Sequence, residues 1–524
     1  MINTQVTPSS LPPFLWGVAT SGYQSEGGYN GPGQPQNNWS WSEADGTVMP
    51  TGTAAEFWSR YQDDFQICQH MGLNAFRLSL EWARIQPTHV AQVGQAPEFD
   101  LAALDAYVER LAACMFAGLE PVVTLHHFTH PAWLGLDPWL SVSTLDRFAT
   151  YVRTTITHIN RGLTEVYQLP PLSWYITINE PNILVLNSYF GKQFPSGSTL
   201  GQAAVLQAYN LLLAAHVRAY NIIYDIYEAE GWSTPNVSLN TYCSDLYWSD
   251  KVLWDLLHCP QHQVRERSLR PYITAKAEHH ETTLAQANLP FQEDLPYRVG
   301  RWGRKLANWV GERRFDPHAF HTFLQELEYS PRDSVCDFVG LDYYDPFIAH
   351  TLRLPSFSDF EFKTKGLRAW LMSGITSKWW NWRSLPEGLH FFCQTYAQDL
   401  EQPILIAENG MALRRKPDNS VATPRPDQLH RSQFLRAHIA QVRRLLQEGV
   451  PILGYLYWSL TDNYEWGSYT PRFGLLSIDF DAGTERLWQD HLGDRPLETY
   501  AQLVQIATGE IPDDNPKLNL QSLS

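Results

Sequence analysis

Cysteine and charge are both scarce in this chain of 524 residues. Six cysteines, at 68, 114, 243, 259, 336 and 393, are widely spaced and form no C-x-x-C pair. That excludes a disulfide scaffold and a zinc ribbon, and leaves the thiols as small buried apolar groups. Charged residues make up 18%, against about 25% in an average domain. Cations are the scarcer sign: 39 Lys and Arg against 55 Asp and Glu give a net charge of −16. No nucleic-acid partner is therefore expected, since that requires a basic footprint. No run approaches the ~18 apolar residues of a membrane span. The segment from Met1 to Pro13 lacks the basic and then apolar stretch of a secretory leader, so a cytoplasmic protein is the expectation. Tandem repeats and low-complexity blocks are missing as well.

Aromatic residues, by contrast, reach 13%, and the chain is too apolar for disorder. A short apolar run ending in polar or aromatic residues recurs, each time followed by a longer helix-like stretch. The runs are Phe14–Ala19, Asn74–Ser79, Glu120–His127, Leu172–Asn179, Asn236–Asn240, Asp337–Asp342, Pro403–Ala407 and Leu453–Trp458. Helical periodicity marks Leu101–Ala117, Leu145–Ile159, Ala203–Tyr227 and Leu429–Gln447, the last with a stop at Glu448-Gly449. Alternating strands and helices imply a parallel sheet. Eight such units predict an α/β fold, a single (β/α)8 TIM barrel with long loops at the carboxyl-end face. The barrel is expected over 14–508, with a short N-terminal segment (1–13) and a polar C-terminal tail (509–524).

In such a barrel the chemistry sits at the carboxyl ends of the strands. Those ends here carry His126-His127, Asn179-Glu180, Asp342-Tyr343-Tyr344, Glu408-Asn409 and Trp458. Polar residues that merely begin loops explain part of this, but not two glutamates in the compact frames Asn179-Glu180-Pro181 and Glu408-Asn409-Gly410. Paired carboxylates facing each other across a pocket suit glycoside cleavage, where one donates a proton to the leaving oxygen and the other attacks or activates water.

These motifs resemble glycoside hydrolase family 1, the retaining β-glucosidase and β-galactosidase family. The resemblance runs from Phe14-Leu-Trp-Gly-Val-Ala-Thr-Ser-Gly-Tyr-Gln-Ser-Glu-Gly27 to Arg472-Phe-Gly-Leu475. Between them it includes Phe76-Arg-Leu-Ser79 with Trp82 and Arg84, Thr124-Leu-His-His127 and Trp458-Ser-Leu-Thr-Asp-Asn-Tyr-Glu-Trp466. It implies Glu180 as general acid/base and Glu408 as nucleophile, with no cofactor and no metal. Gln24, His127, Asn179, Glu465 and Trp466 would bind the sugar hydroxyls, Asn179 taking the 2-hydroxyl. Trp458 would form the floor under the ring, and Arg77 and Tyr344 would keep Glu408 ionised and aimed. Enzymes of the family acting on 6-phospho-sugars carry Ser at the position of Glu465, so an acid there implies a neutral sugar. Rival expectations with the same residues are transfer to an alcohol or glycolipid acceptor, and a sugar-binding barrel without catalysis.

Three departures stand against the family pattern. Asp342-Tyr-Tyr344 replaces Asn-Tyr-Tyr, bringing an extra acid near the nucleophile. His127-Phe128 replaces an aromatic pair whose indole could hydrogen-bond. Asn182 stands where many members have Trp, which predicts a more polar leaving-group side. His126, His127 and His130 invite a metal reading, but adjacent strand residues point to opposite faces, so one sugar-binding and two structural histidines are expected. Two segments break the acidic balance. Phe362–Ser384 carries five cations and no acid with Trp370, Trp379, Trp380 and Trp382. Tyr297–Arg314 carries six cations against Glu312, with Trp302 and Trp309. They are expected either to line the aglycone channel as a lid or to form a rim that makes peripheral lipid contact. Oligomeric state is not legible.

Overall fold

Eight parallel strands close on themselves in sequence order, each pairing with the next and the last with the first. In a computed structural model describing residues 12–88, 94–197, 199–347, 379–416, 420, 425 and 427–512, they are β1 (Leu15–Ala19), β2 (Ala75–Ser79), β3 (Glu120–Thr124), β4 (Trp174–Asn179), β5 (Asn236–Tyr242), β6 (Val339–Tyr343), β7 (Ile404–Asn409) and β8 (Ile452–Trp458). This is the expected (β/α)8 barrel. Each expected run overlaps one strand; the third is shorter than expected, ending at Thr124 rather than His127, so both histidines lie on the loop above it. The expected terminal segments lie almost wholly outside the described residues.

Alternation along the strands divides the core in two. Leu15 and Ala19 of β1, Trp174 and Ile176 of β4, and Leu405 and Ala407 of β7 fill the barrel. Trp16, Val18, Tyr175, Ile404 and Ile406 face the surrounding helices. Strands approach closely where glycine replaces a side chain: a Cβ on Gly340 would lie 2.5 Å from the Leu239 carbonyl oxygen. Outside, four helices match the periodic segments: Leu101–Phe116, Ser143–Arg161, Gln202–Glu230 and Arg431–Gln447. The first is capped by the Asp100 carboxylate, which accepts from the Ala103 N–H. The last ends as expected: Gly449 takes φ +76°, and the N–H groups of Gly449 and Val450 donate to the Leu446 and Leu445 carbonyls.

The alternation breaks where function is expected. With Leu405 and Ala407 pointing in, strict pleating would turn Glu408 outward. Register shifts between β6 and β7 and between β7 and β8, next to Glu408, reset it. A similar shift between Ile176 and Asn179 on β4 sends Ile178 to the helix side and Asn179 to the mouth. Bulges thus aim both carboxyl-bearing strand ends at one cavity.

Candidate active site

Glu180 follows β4 directly. Its backbone is left-handed (φ 38°), it precedes a short helix, Pro181–Val185, that begins with proline, and its N–H donates to the Asn240 carbonyl at 3.0 Å. This uncommon backbone for a non-glycine residue holds the side chain over the barrel mouth. Glu408 enters from β7, and both carboxyls are buried. Oxygens of Glu180, Glu408 and Asp342 lie within 4.8 Å of one another.

Three acids this close need a counter-charge, and Arg77 on β2 supplies it. The guanidinium is fully buried. It donates to Thr124 Oγ1 (3.0 Å), the Ala407 carbonyl (3.0 Å), Glu408 Oε1 (2.7 Å) and Asn179 Oδ1 (2.5 Å), and stands 4.0 Å from Asp342. A single cation therefore joins β2, β3, β4 and β7. Among the described residues these three acids are the one group of His, Cys, Asp and Glu spaced to share a metal ion. Arg77 already supplies positive charge within the group, so its closeness does not call for one.

The two glutamates have opposite surroundings. Burial pushes the Glu408 carboxyl up, while Arg77 and the Tyr344 hydroxyl, donating at 2.8 Å, pull it back. Glu180 is driven well above the carboxylate range, first by burial and then by the charges of Asp342 and Glu408. Asp342 is also raised by burial, but its hydrogen bond with Glu180 favours the ionised Asp342 and the protonated Glu180. The extra acid, expected near the nucleophile, thus acts mainly on Glu180 at the end of β4.

Around this pair lies a cavity of about 210 Å³. Gln24, His127, Asn179, Tyr344, Trp458, Glu465 and Trp466 line it together with Glu180 and Glu408, so the sequence-derived residues converge. Glu465 accepts from Trp458 Nε1 at 3.1 Å and from Gln24 Nε2 at 3.0 Å. The Trp458 ring is nearly parallel to that of His127, with centroids 5.7 Å apart and 10° between planes. Burial, then Arg77, lowers the His127 pKa well below its ordinary value, so the ring is neutral, and its buried Nδ1 has no hydrogen-bond partner among the described residues. His126 instead packs edge-on against Trp139, and His130 bonds the Gly135 carbonyl, so the three rings serve separate places. The cysteines are all buried and unpaired.

Some of the site was not foreseen. Asn240, near the mouth end of β5, donates to Asn179 Oδ1 at 2.7 Å and to Asp342, linking the ends of β4 and β6. The one available signal was its position as the last residue of an expected strand. Phe128 meets Trp466 edge-on at 4.9 Å, so packing stands in for the missing indole hydrogen bond. Asn182 corrects an expectation. Its amide is spent on the Tyr242 backbone, donating to the carbonyl at 2.8 Å and accepting from the N–H at 3.2 Å. Asn182 itself does not line the cavity; beyond the sugar-binding residues the wall mixes apolar Ile183, Leu186, Phe194, Trp379, Trp382 and Phe473 with polar Asn187, Ser244, Ser249 and Asp345. Most of the expected lid segment, 362–378, lies outside the described residues, but Trp379 and Trp382 at its end do line the cavity.

A family model described as Glycosyl hydrolase family 1 matches residues 8–248 and 262–491. Beta-glucosidase A of Thermotoga maritima is 26% identical over 476 residues, covering 89% of this chain and 92% of that protein. A 6-phospho-beta-galactosidase of Staphylococcus aureus is 25% identical over 483 residues, covering 89% and 93%. The solved beta-glucosidase from Thermotoga maritima in complex with noeuromycin superposes with a TM-score of 0.63 at 22% identity, covering 94% of this chain and 98% of that one.

Proposed function

The chain belongs to glycosyl hydrolase family 1, and from that premise we propose that it is a retaining, exo-acting β-glycosidase for neutral sugars, a β-glucosidase in the first instance. One observation carries the reading. Two buried carboxyls approach within 4.8 Å, one held by Arg77 and Tyr344, the other favoured in its protonated form. Retaining enzymes hold this pair about 5–5.5 Å apart, whereas inverting enzymes need about 6.5–9.5 Å to admit water.

In the first step a Glu408 oxygen bonds to the anomeric carbon as the bond to the aglycone oxygen breaks, and the Glu180 proton passes to that oxygen. The product is a glycosyl ester on Glu408. Its formation removes the Glu408 charge, one of the causes that raise Glu180, so Glu180 can now take a proton from water. That water attacks the anomeric carbon, the ester bond breaks, and the sugar leaves with its original configuration. Asn179 has its Oδ1 fixed by Arg77 and Asn240, so its N–H₂ is oriented toward the cavity for the 2-hydroxyl. That contact tightens as the oxocarbenium-like transition state forms. Trp458 offers an apolar face to the pyranose, and Glu465 accepts from hydroxyls further round the ring.

Glu465 also bears on the choice between the neutral sugar and the 6-phospho-sugar named by the staphylococcal relative. Burial pushes the Glu465 carboxyl well above its ordinary value, and a pocket where even that acid is costly to ionise disfavours a phosphate beside it. Hydrolysis of an aryl β-glucoside and its 6-phosphate, followed by NMR, tests both parts of the reading. The neutral substrate should be favoured in kcat/KM by at least about 100-fold, and the first-formed sugar should be the β-anomer. Preference for the phosphate, or the α-anomer appearing first, contradicts the proposal. Transfer to an alcohol is the second reading, favoured by the aromatic residues Trp379, Trp382 and Phe473 in the lining, and a glycoside product formed with added alcohol would establish it.

Asp342 supplies a pH prediction. Its negative charge raises Glu180, which must be protonated in the first step, so the rate falls as pH rises through the Glu180 pKa. Asp342→Asn removes that charge, lowers the Glu180 pKa, and should move the basic limb of the kcat/KM profile to lower pH. An unmoved or raised basic limb would show that Asp342 does not set this proton.

A further inference from the structure

Between β5 and β6 the chain builds a 20-residue helix, Leu295–Arg314. Its inner face is made at seven-residue intervals. Tyr297 packs against Phe291 and Phe347, and buried Arg304 pairs with Glu281 at 3.2 Å and approaches Asp245 at 3.9 Å. Gly311 lies so close to Trp248 that a Cβ there would sit 2.4 Å from the indole. These contacts fix which way the helix faces.

The opposite face carries Leu295, Val299, Trp302, Leu306, Trp309 and Val310, all exposed, with Trp302 at 74% and Leu295 at 72%. At 3.6 residues per turn, the six fall within an arc of about 100°. Single exposed apolar residues are ordinary, but a continuous stripe along a helix of about 30 Å marks a contact surface. Arg298, Arg301 and Lys305, all exposed, lie along one edge of the stripe. Arg313 sits over the Trp309 ring, 4.1 Å from its centroid. In a protein of net charge −16, three cations against the helix's single exposed acid, Glu312, make this edge a local reversal of sign.

We propose that this helix docks the protein on an anionic lipid surface, lying in the plane of the interface with the stripe among the acyl chains and the cations at the headgroups. Amphipathic interfacial helices have this division of faces, and tryptophan favours the boundary itself. Charge complementarity selects an anionic bilayer as the occupant. A protein partner in general needs no row of cations beside the stripe, and a second copy would set the same cations against each other. No described helix is long and apolar enough to cross a membrane, so the contact is peripheral. The same element is tied to the cavity rim: Asp294, at the helix start, pairs with Arg383 at 2.9 Å, next to the cavity-lining Trp382. Docking would hold that rim close to the bilayer. The inference is independent of the reaction assigned above.

The test is co-sedimentation of the full chain with phosphatidylserine–phosphatidylcholine vesicles, with phosphatidylcholine alone as the neutral arm. Binding should be strong at low salt on anionic vesicles, weaken as salt is raised and be far weaker on neutral ones. Each cation near an anionic surface contributes about fivefold to partitioning. Neutralising Arg298, Arg301 and Lys305 to Gln should therefore lower it on the order of 100-fold. A second variant, Trp302→Glu with Leu306→Glu, should also release the protein while hydrolysing a soluble aryl glycoside at the parental rate, which shows that it is folded. Absence of binding to anionic vesicles at low salt overturns the proposal, as does equal binding by both variants. So does lipid-free dimerisation that the Trp302→Glu variant abolishes, which would make the stripe an interface between copies.

Discussion

Glu408→Gln should reduce kcat on an aryl β-glucoside by on the order of 10⁴–10⁶, leaving a folded protein that still binds sugar. The replacement is nearly isosteric, so contact with Arg77 and Tyr344 is altered but the space stays filled. Chemistry is lost because an amide oxygen is a poor nucleophile and cannot form a stable ester with the anomeric carbon. The charge balance changes too. Arg77, at 2.7 Å from Glu408 and 4.0 Å from Asp342, would be left with Asp342 as its nearest acid, so a change in stability is expected alongside the loss of rate. Equilibrium binding of an uncharged sugar, followed by tryptophan fluorescence, separates the two effects, because Trp458 and Trp466 line the site. Retention of more than a hundredth of the rate would remove Glu408 from the nucleophile's role.

Glu180→Gln should produce a loss that depends on the leaving group. For an alkyl glucoside, whose oxygen cannot depart without a proton, kcat/KM should fall about 10²–10⁴-fold. For a dinitrophenyl glucoside, which departs as a stable anion, kcat/KM should change little. Its kcat should fall nonetheless, because water no longer has a base and the glycosyl ester accumulates. The basic limb of the pH profile should vanish with the group that causes it. Equal losses on both substrates would instead indicate a general disturbance of the site, such as loss of the Glu180–Asp342 hydrogen bond.

Most of this site was legible in the sequence because the barrel converts linear order into position. A polar residue at the end of an apolar run lands at the mouth, which brought Glu180, Glu408, Asn179 and Tyr344 together without knowledge of any contact. Legibility ended where position depends on partners. Strict alternation would have turned Glu408 away from the cavity; the register shifts that reverse it arise between neighbouring strands and leave no mark in the β7 sequence. Asn182 read as a polar lining residue, yet the Tyr242 backbone, sixty positions on, claims its amide. Asn240 looked like an ordinary strand end, and its importance rests on Asn179 and Asp342 from two other strands. The third strand was read as too long because the histidines above it continue an apolar run, whereas strand pairing ends at Thr124. The basic aromatic segment at Tyr297–Arg314 was visible by composition. Only the inner contacts of Tyr297, Arg304 and Gly311 show which side of that helix remains exposed.

The central claim is covalent attachment of the sugar to Glu408, and the most direct measurement is intact-protein mass after incubation with a 2-deoxy-2-fluoro-β-glucoside bearing a good leaving group. The fluorine slows both steps by destabilising the oxocarbenium-like transition state, while the leaving group keeps the first step fast enough for the ester to accumulate. A mass increase of one fluorosugar is expected, mapped by peptide analysis to Glu408 and lost in Glu408→Gln. Attachment at another residue, or turnover of the parent glucoside with no labelling by several fluorosugars, would contradict it.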